Sequence, residues 1–170
     1  VKCLIILISI FIMEIEIKEK PPMPEFMVKE KIAKDAAEEE LLARAIYGEA
    51  SNQGDDGMQA VGNVILNRVN GKDWYGNSIT DVILNPKQFS AFNDTEDKNY
   101  KRMMSATKES DSVYAKALEI AKGLIKGNIK DNTEGATHYY NPDAANPDWK
   151  DDPLMLSLKK IGDHDFFVEG

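Results

Sequence analysis

The pattern that most constrains the fold is a run of apolar residues at helical spacing between residues 58 and 69. Met58, Val61, Ile65 and Val69 recur at intervals of three and four, and further apolar residues cover the opposite side. A helix that is apolar most of the way round belongs in the middle of a small domain, because every side needs a packing partner. This segment therefore predicts a helical core built around it.

Length and charge limit the possible partners. A chain of 170 residues with 42% hydrophobic content can bury one core, so we expect one globular domain. The formal net charge of -8 argues against nucleic acid as a partner, because that binding depends on Lys and Arg neutralising phosphates. The single cysteine, Cys3, excludes an internal disulfide framework and a Cys-based zinc site.

The N-terminal segment, residues 1–27, is expected to be separate from that domain. Its apolar run Cys3–Met13 is too short to span a bilayer as a helix, but it fits the apolar region of an export signal or an anchor. An extension from a misplaced start codon and a buried strand are the alternatives. The prolines at residues 21, 22 and 24 form a stiff spacer, which sets a boundary near residue 28. We expect residues 28–170 to form the globular domain that carries the candidate functional residues.

Most other segments read as helices. Leu41–Ala50 and Asp111–Lys126 have helical periodicity, and Ile79–Leu84 is a short helix or strand. Thr137–Tyr140 and His164–Phe167 read as short aromatic strands that pair with each other. The predicted fold class is α+β, mainly α, with a small β-hairpin or β wing.

Glu49 is the strongest candidate for chemistry. It shares one face of its helix with Leu42 and Ile46, near Gly48, which is expected to break the helix. A carboxyl group that loses hydration there is favoured in its protonated form, which is the form a general acid needs. The alternative is a Glu at a helix end that is only solvated or hydrogen-bonded.

A second candidate segment is the loop Lys87–Phe92, which mixes aromatic rings with amide and hydroxyl groups. Such a mixture suits a sugar site, since rings stack on pyranose faces and polar groups bind the rims. An aromatic residue that only plugs the core is the alternative. The polar residues Asn63, Asn67 and Arg68 of the central helix need partners, in a structural network or on a substrate.

The two histidines, His138 and His164, lack a local third ligand, so we expect no metal and no cofactor.

Five phrases in order resemble the SleB/CwlJ-type cell wall hydrolase family, over about residues 38 to 168. They are Ala-Ile-Tyr-Gly-Glu-Ala at 45–50, Ala-Val-Gly-Asn-Val-Ile-Leu-Asn-Arg-Val at 60–69, Asn-Pro-Lys-Gln-Phe-Ser at 85–90, Thr-His-Tyr-Tyr-Asn-Pro at 137–142 and Ile-Gly-Asp-His-Asp-Phe at 161–166. The resemblance implies a lysozyme-like helical domain with a small β wing, acting on the glycan strands of peptidoglycan. It also implies that Glu49 is the catalytic acid.

Most glycosidases use two carboxylates, and the second one is not evident here. Asp94, Asp143 and Asp165 are candidates. A substrate-assisted route needs only one acid: the N-acetyl group supports the cation and the 6-hydroxyl of muramic acid attacks, which gives a 1,6-anhydro product. We expect Glu49 to be the sole acid and base, in a groove lined by Tyr47, Gln88, Phe89, Ser90, Tyr139, Tyr140 and Asn141.

Three other functions stay open at this point: a hydrolytic muramidase, a non-catalytic wall-binding or virion structural module, and a metal amidase in which His138 and His164 converge. The expected partner is the peptidoglycan glycan strand, with membrane anchoring through residues 3–13 and a monomeric protein. The expected location is the cell envelope, or the host wall for a phage-encoded enzyme.

Overall fold

The computed structural model describes residues 23–86, 88–92 and 94–170 of the chain. The apolar run Cys3–Met13 lies outside the described residues. Within them no helix is both long and apolar enough to cross a membrane. The α-helices are α1 (Glu25–Ala50), α2 (Gly54–Val69), α3 (Ile79–Leu84), α4 (Lys98–Ser105) and α5 (Ser112–Ile125). The strands are β1 (His138–Tyr140), β2 (Met155–Ile161) and β3 (His164–Glu169), and the short 3-10 helices are Asp73–Tyr75, Ser90–Phe92 and Asp148–Asp151.

Helix α2 lies between two hydrophobic clusters. Val61 and Ile65 on one side join the main core with α1, α3 and α5. Ala60 and Val64 on the other side join a smaller cluster with Phe166 of β3. The central position predicted for this helix is confirmed, and the two clusters explain why it is apolar on both sides.

Helix α1 joins the predicted segment Leu41–Ala50 and the residues before it in one continuous helix. It begins at Glu25, directly after Pro24, and its exposed first half leads into a buried second half from Leu42 onward. The prediction that Gly48 breaks the helix is wrong, since the helix continues to Ala50. Gly48 serves close packing instead: a Cβ atom there would lie 2.7 Å from Met103 Sδ and 2.8 Å from Ala91 Cβ.

The remaining helices begin at side-chain caps. Asp111 accepts hydrogen bonds from the first turn of α5, and that helix ends within one residue of the predicted limit. Ser78 caps α3, which resolves Ile79–Leu84 as a helix. Helix α4 was not predicted; Asp97 caps it through the backbone N–H groups of Asn99 and Tyr100.

The three strands form an antiparallel sheet in the order β1-β3-β2. The predicted pairing of β1 with β3 is confirmed, with Tyr139 opposite Phe166. The partner strand β2 was not predicted; it turns back into β3 at Gly162, whose φ is 59°. The amide nitrogen of Asp163 donates to Gln53 Oε1 at 2.8 Å, which fastens this turn to the α1–α2 connection. The fold is thus α+β, mainly α with a β wing, as predicted.

Candidate active site

Glu49 lies in the last turn of α1, where the helical core meets the β wing. It is partly buried. Its Oε1 accepts a hydrogen bond from the backbone N–H of Ala91 at 2.9 Å, and its Oε2 accepts one from the Tyr139 hydroxyl at 3.3 Å. Two segments that are far apart in sequence therefore meet at this carboxyl group.

The first donor, Ala91, is held by the short helix Ser90–Phe92. Phe89 is only 2% exposed and anchors this segment in the main core. The methyl group of Ala91 packs close to Gly48, where any side chain would collide with it. The Asn99 side chain also donates to the Gly48 carbonyl at 3.2 Å, so α4 supports the same turn. The N–H of Ala91 is thus fixed relative to Glu49 by packing on both sides.

The second donor, Tyr139, reaches Glu49 because of strand alternation. Consecutive residues of a strand point to opposite faces of the sheet, and Tyr139 shares its face with Phe166 and His164, at ring-centroid distances of 5.7 and 5.0 Å. Burial raises the pKa of Tyr139 well above its ordinary value, and the nearby Glu49 carboxylate acts in the same direction. Tyr139 therefore keeps its proton, and its hydroxyl can donate a hydrogen bond to Glu49.

The two histidines lie in different surroundings. His164 is 8% exposed, and its Nδ1 has no hydrogen-bond partner in the described part of the chain. His138 lies on the other face of β1, between Tyr75 and Trp149. Burial is the main cause that lowers the pKa of His138 to about 4, and it also lowers that of His164. Residues 23–86, 88–92 and 94–170 contain no cluster of three His, Cys, Asp or Glu that could hold a metal ion.

Three of the predicted groove residues are not brought to Glu49. Tyr47 is 1% exposed, and its hydroxyl donates to Asp111 in the core. Phe89 is a core residue, which agrees with the alternative reading of its loop. Tyr140 points to the face opposite Tyr139 and packs edge-on against Trp149 at 5.7 Å.

The other predicted groove residues flank the two donors. Gln88 is exposed, and its Oε1 accepts a hydrogen bond from Arg68 at 2.9 Å. Asn141 directly follows β1, and its Oδ1 accepts a hydrogen bond from the backbone N–H of Asp143 at 2.9 Å. Ser90 is the first residue of its short helix, and its side chain lies outside the described part of the structure.

The three candidate second carboxylates differ in their exposure and in their partners. Asp94 is exposed and accepts the backbone N–H of Glu96 at 2.8 Å. Asp143 is exposed in the loop after β1. Asp165 is paired with Tyr140 and alternates with His164 and Phe166, so it points to the face away from Tyr139.

The functional group that the sequence did not suggest is the backbone N–H of Ala91. An alanine carries no chemical signal, and a backbone donor can be found only once the turn is folded against Glu49. The pairing of Tyr139 with Glu49 had a partial signal, because Tyr139 was expected at the site but as a sugar contact.

Comparison with known proteins gives the family. A profile described as Cell Wall Hydrolase matches residues 52–167. The spore cortex-lytic enzyme of Bacillus subtilis (strain 168) is 33% identical over 128 residues, which is 74% of this chain and 36% of that protein. The spore cortex-lytic enzyme of Bacillus cereus is also 33% identical, over 75% of this chain and 42% of that protein. The chain thus spans about two fifths of the length of these curated relatives.

Two solved structures agree with this match. The catalytic domain of the Bacillus cereus SleB protein superposes with a TM-score of 0.58 at 31% identity, over 78% of this chain and 90% of that one. The catalytic domain of the germination-specific lytic transglycosylase SleB from Bacillus anthracis gives the same score and identity, over 76% and 93%. The profile covers more than half of the sequence, and the chain therefore belongs to the cell wall hydrolase family.

Proposed function

We propose that this protein cleaves the glycan strands of peptidoglycan at the bond between N-acetylmuramic acid and N-acetylglucosamine, with Glu49 as general acid and base. The relatives support the substrate class, since they include spore cortex-lytic enzymes and a catalytic domain named as a lytic transglycosylase. The observation that carries the proposal is the pair of donors on Glu49, the Ala91 N–H and the Tyr139 hydroxyl.

These two donors divide the carboxyl group into two unlike oxygens. A backbone N–H can only donate, so Oε1 acts as acceptor whether Glu49 is ionised or protonated. A tyrosine hydroxyl can donate or accept, so the contact at Oε2 tolerates a proton on that oxygen. The transferable proton therefore resides on Oε2, and the orientation of the carboxyl group is kept in both its protonated and its ionised form.

The reaction follows from that arrangement. Glu49 Oε2 gives its proton to the glycosidic oxygen, and the bond between that oxygen and C1 of muramic acid breaks. The N-acetyl group of the same sugar supports the positive charge at C1. The 6-hydroxyl oxygen then bonds to C1 and its proton returns to Glu49, which leaves a 1,6-anhydro ring and restores the acid without water.

The positions of two candidate second carboxylates favour this route over hydrolysis. Asp165 points to the sheet face away from Tyr139, and Asp94 is exposed and accepts a hydrogen bond from the backbone N–H of Glu96. A hydrolytic muramidase would need one of them to act on the opposite side of the sugar.

Glycan contacts are proposed on either side of Glu49. Gln88 is exposed near Ala91, and Asn141 is partly buried two residues after Tyr139, so part of each side chain is open to a sugar. Because peptidoglycan lies outside the membrane, we place the protein at the cell envelope or on a host wall. Its anchoring through residues 3–13 and its monomeric state stay predictions.

The test is mass spectrometry of the soluble fragments that the protein releases from purified peptidoglycan, with Glu49→Gln alongside. The amide keeps the shape of the side chain but cannot transfer the proton. We expect wild type to release anhydromuramyl fragments and Glu49→Gln to fold normally while losing at least about a hundredfold in rate. Asp165→Asn is the matched control and should cleave like wild type.

Three results would change the assignment. Turnover by Glu49→Gln at the wild-type rate would remove Glu49 from the chemistry. Fragments with reducing muramic acid ends, lost in Asp165→Asn, would mean a hydrolytic muramidase with two carboxylates. No release from a substrate that another enzyme degrades would support the non-catalytic wall-binding module.

A further inference from the structure

Arg68 is a buried cation that the proposed reaction does not use. It lies near the C-terminal end of α2 and is only 6% exposed. Burial holds its pKa below the ordinary value. In the described part of the chain it forms no salt bridge with a carboxylate. Burial of a charge is costly unless the charge is paired or hydrogen-bonded. The groups that accept hydrogen bonds from the Arg68 guanidinium are therefore important for its role.

The guanidinium makes two directed hydrogen bonds. Its Nε donates to the Thr137 carbonyl at 2.7 Å, and its Nη1 donates to Gln88 Oε1 at 2.9 Å. Its planar face lies over the rings of Tyr75 and Phe89, at 5.6 and 5.4 Å from their centroids. The planar fork of arginine can hold two acceptors in fixed directions, which a lysine ammonium cannot do.

The two acceptors belong to the two segments that meet at Glu49. Thr137 precedes Tyr139 by two residues, and Tyr139 donates to Oε2. Gln88 precedes Ala91 by three residues, and Ala91 donates to Oε1. The buried side chain of Arg68 thus hydrogen-bonds both to the segment that leads into β1 and to the loop that precedes Ala91.

We infer that Arg68 is a positioning residue for Glu49, holding the donors Ala91 and Tyr139 at the spacing that the carboxyl group requires. The inference rests on the proposed function of Glu49. Arg68 acts through the Thr137 carbonyl and the Gln88 side chain, and it does not touch the reacting atoms. A displacement of about 1 Å at a reacting group can lower a rate by about a hundredfold, so loss of this tie should be visible in turnover.

The test compares Arg68→Lys and Arg68→Gln with Asn63→Ala. Lysine keeps the charge but loses the fork, and Arg68→Gln removes the charge. Asn63 is 4% exposed on the same helix and donates to Asn132 at 3.0 Å, so Asn63→Ala breaks a comparable link away from Glu49. We expect both Arg68 variants to lose about ten- to a hundredfold in kcat with little change in KM, and Asn63→Ala to keep kcat.

A second measurement does not depend on turnover. The NMR resonance of the Ala91 amide proton reports its hydrogen bond to Glu49 and should move in Glu49→Gln. In Arg68→Lys we expect it to move in the same direction, and in Asn63→Ala to stay in place. In the double variant Arg68→Lys/Tyr139→Phe, the fold loss in kcat should be smaller than the product of the fold losses in the two single variants, because both substitutions weaken the same contact.

The outcomes separate the two ideas. An unmoved Ala91 resonance in Arg68→Lys, together with wild-type kcat, would overturn the positioning role while leaving the proposed function intact. A moved resonance in a protein whose wild type cleaves nothing would support the positioning role and refute the proposed function. Equal loss of kcat in Asn63→Ala would reduce Arg68 to general stabilisation and overturn the inference.

Discussion

At the scale of single residues, Glu49 is held by one donor that cannot change and one that can. The Ala91 N–H donates to Oε1, and the Tyr139 hydroxyl, which can donate or accept, contacts Oε2. Tyr139 is itself held between His164 and Phe166, so its hydroxyl has little freedom to turn away. Preorganised donors of this kind lower the reorganisation needed when charge moves during a reaction.

Tyr139→Phe should lower kcat by about tenfold, since one hydrogen bond to a charged group contributes roughly 1.5 kcal/mol or more. The ring and its packing are kept. Tyr75→Phe is the matched control, because it also removes a tyrosine hydroxyl from a carboxylate, that of Glu169 at 2.8 Å, away from Glu49. Steady-state kinetics on soluble glycan fragments measures both; an equal loss in the two variants would contradict a specific role for Tyr139.

At the scale of elements, the site depends on how closely α1 approaches the turn that carries Ala91. Gly48 permits this approach, and α4 supports it from the other side through Asn99. Helix periodicity was enough to put Glu49 on an inner face. It was not enough to show that Gly48 packs against a distant loop. That contact depends on Ala91 and Met103, which lie far from Gly48 in the sequence.

Gly48→Ala should displace the Ala91 turn and lower both stability and turnover. Overpacking of this kind costs about 1–3 kcal/mol. Gly62→Ala is the matched control: its Cβ would lie 2.5 Å from Leu124 Cδ1 and 2.9 Å from Ile46 Cδ1, in the core and away from Ala91. Thermal unfolding and kcat are measured for both variants. If Gly62→Ala lost as much kcat at equal loss of stability, the account of Gly48 would be wrong.

The strands show the same limit of sequence-based prediction. The aromatic alternation predicted β1 and β3 and their pairing, because the residues that carry it are local. It did not predict β2 or α4. Helix α4 is short and mostly polar and begins at the cap Asp97, and β2 alternates only partly between buried and exposed residues. Tyr139 and Tyr140, both expected in the groove, are consecutive residues of β1, and strand alternation directs their side chains to opposite faces of the sheet.

At the scale of the whole molecule, the wing and the core are joined by polar contacts around buried groups. Arg68 and Asn67 reach from α2 to the segment before β1, and Asn67 donates to the Ala136 carbonyl at 3.0 Å. The sequence marked these residues as polar exceptions on an apolar helix. Their partners were not predictable, because carbonyl acceptors carry no signature in the sequence.

The buried histidines make stability depend on pH. The pKa of folded His138 is lowered from 6.5 to about 4, and that of His164 is also lowered, so the unfolded chain binds more protons in this window. The free energy of unfolding should therefore fall as the pH drops from about 6.5 towards about 4. The carboxyl groups of Asp111, Asp131 and Glu169 have pKa values lowered from 3.8, 3.8 and 4.5, so their stabilising contribution is lost near and below those values and overlaps only the acid end of this range.

Urea unfolding at pH 7 and pH 5 tests this, with His138→Phe as the comparison. The variant keeps a ring between Tyr75 and Trp149 but cannot take a proton, so its loss of stability between the two pH values should be smaller. Equal losses in both proteins would exclude His138 as a source of the pH dependence.

The central claim is that Glu49 takes up the proton of the 6-hydroxyl and that no water attacks. Its most direct test is digestion of peptidoglycan in heavy-oxygen water. The account predicts anhydromuramyl ends, one water lighter than a hydrolytic product, with no heavy oxygen incorporated, and no product from Glu49→Gln. Heavy oxygen at C1 of muramic acid in the first products would contradict it, because water would then be the nucleophile and a second carboxylate would be required.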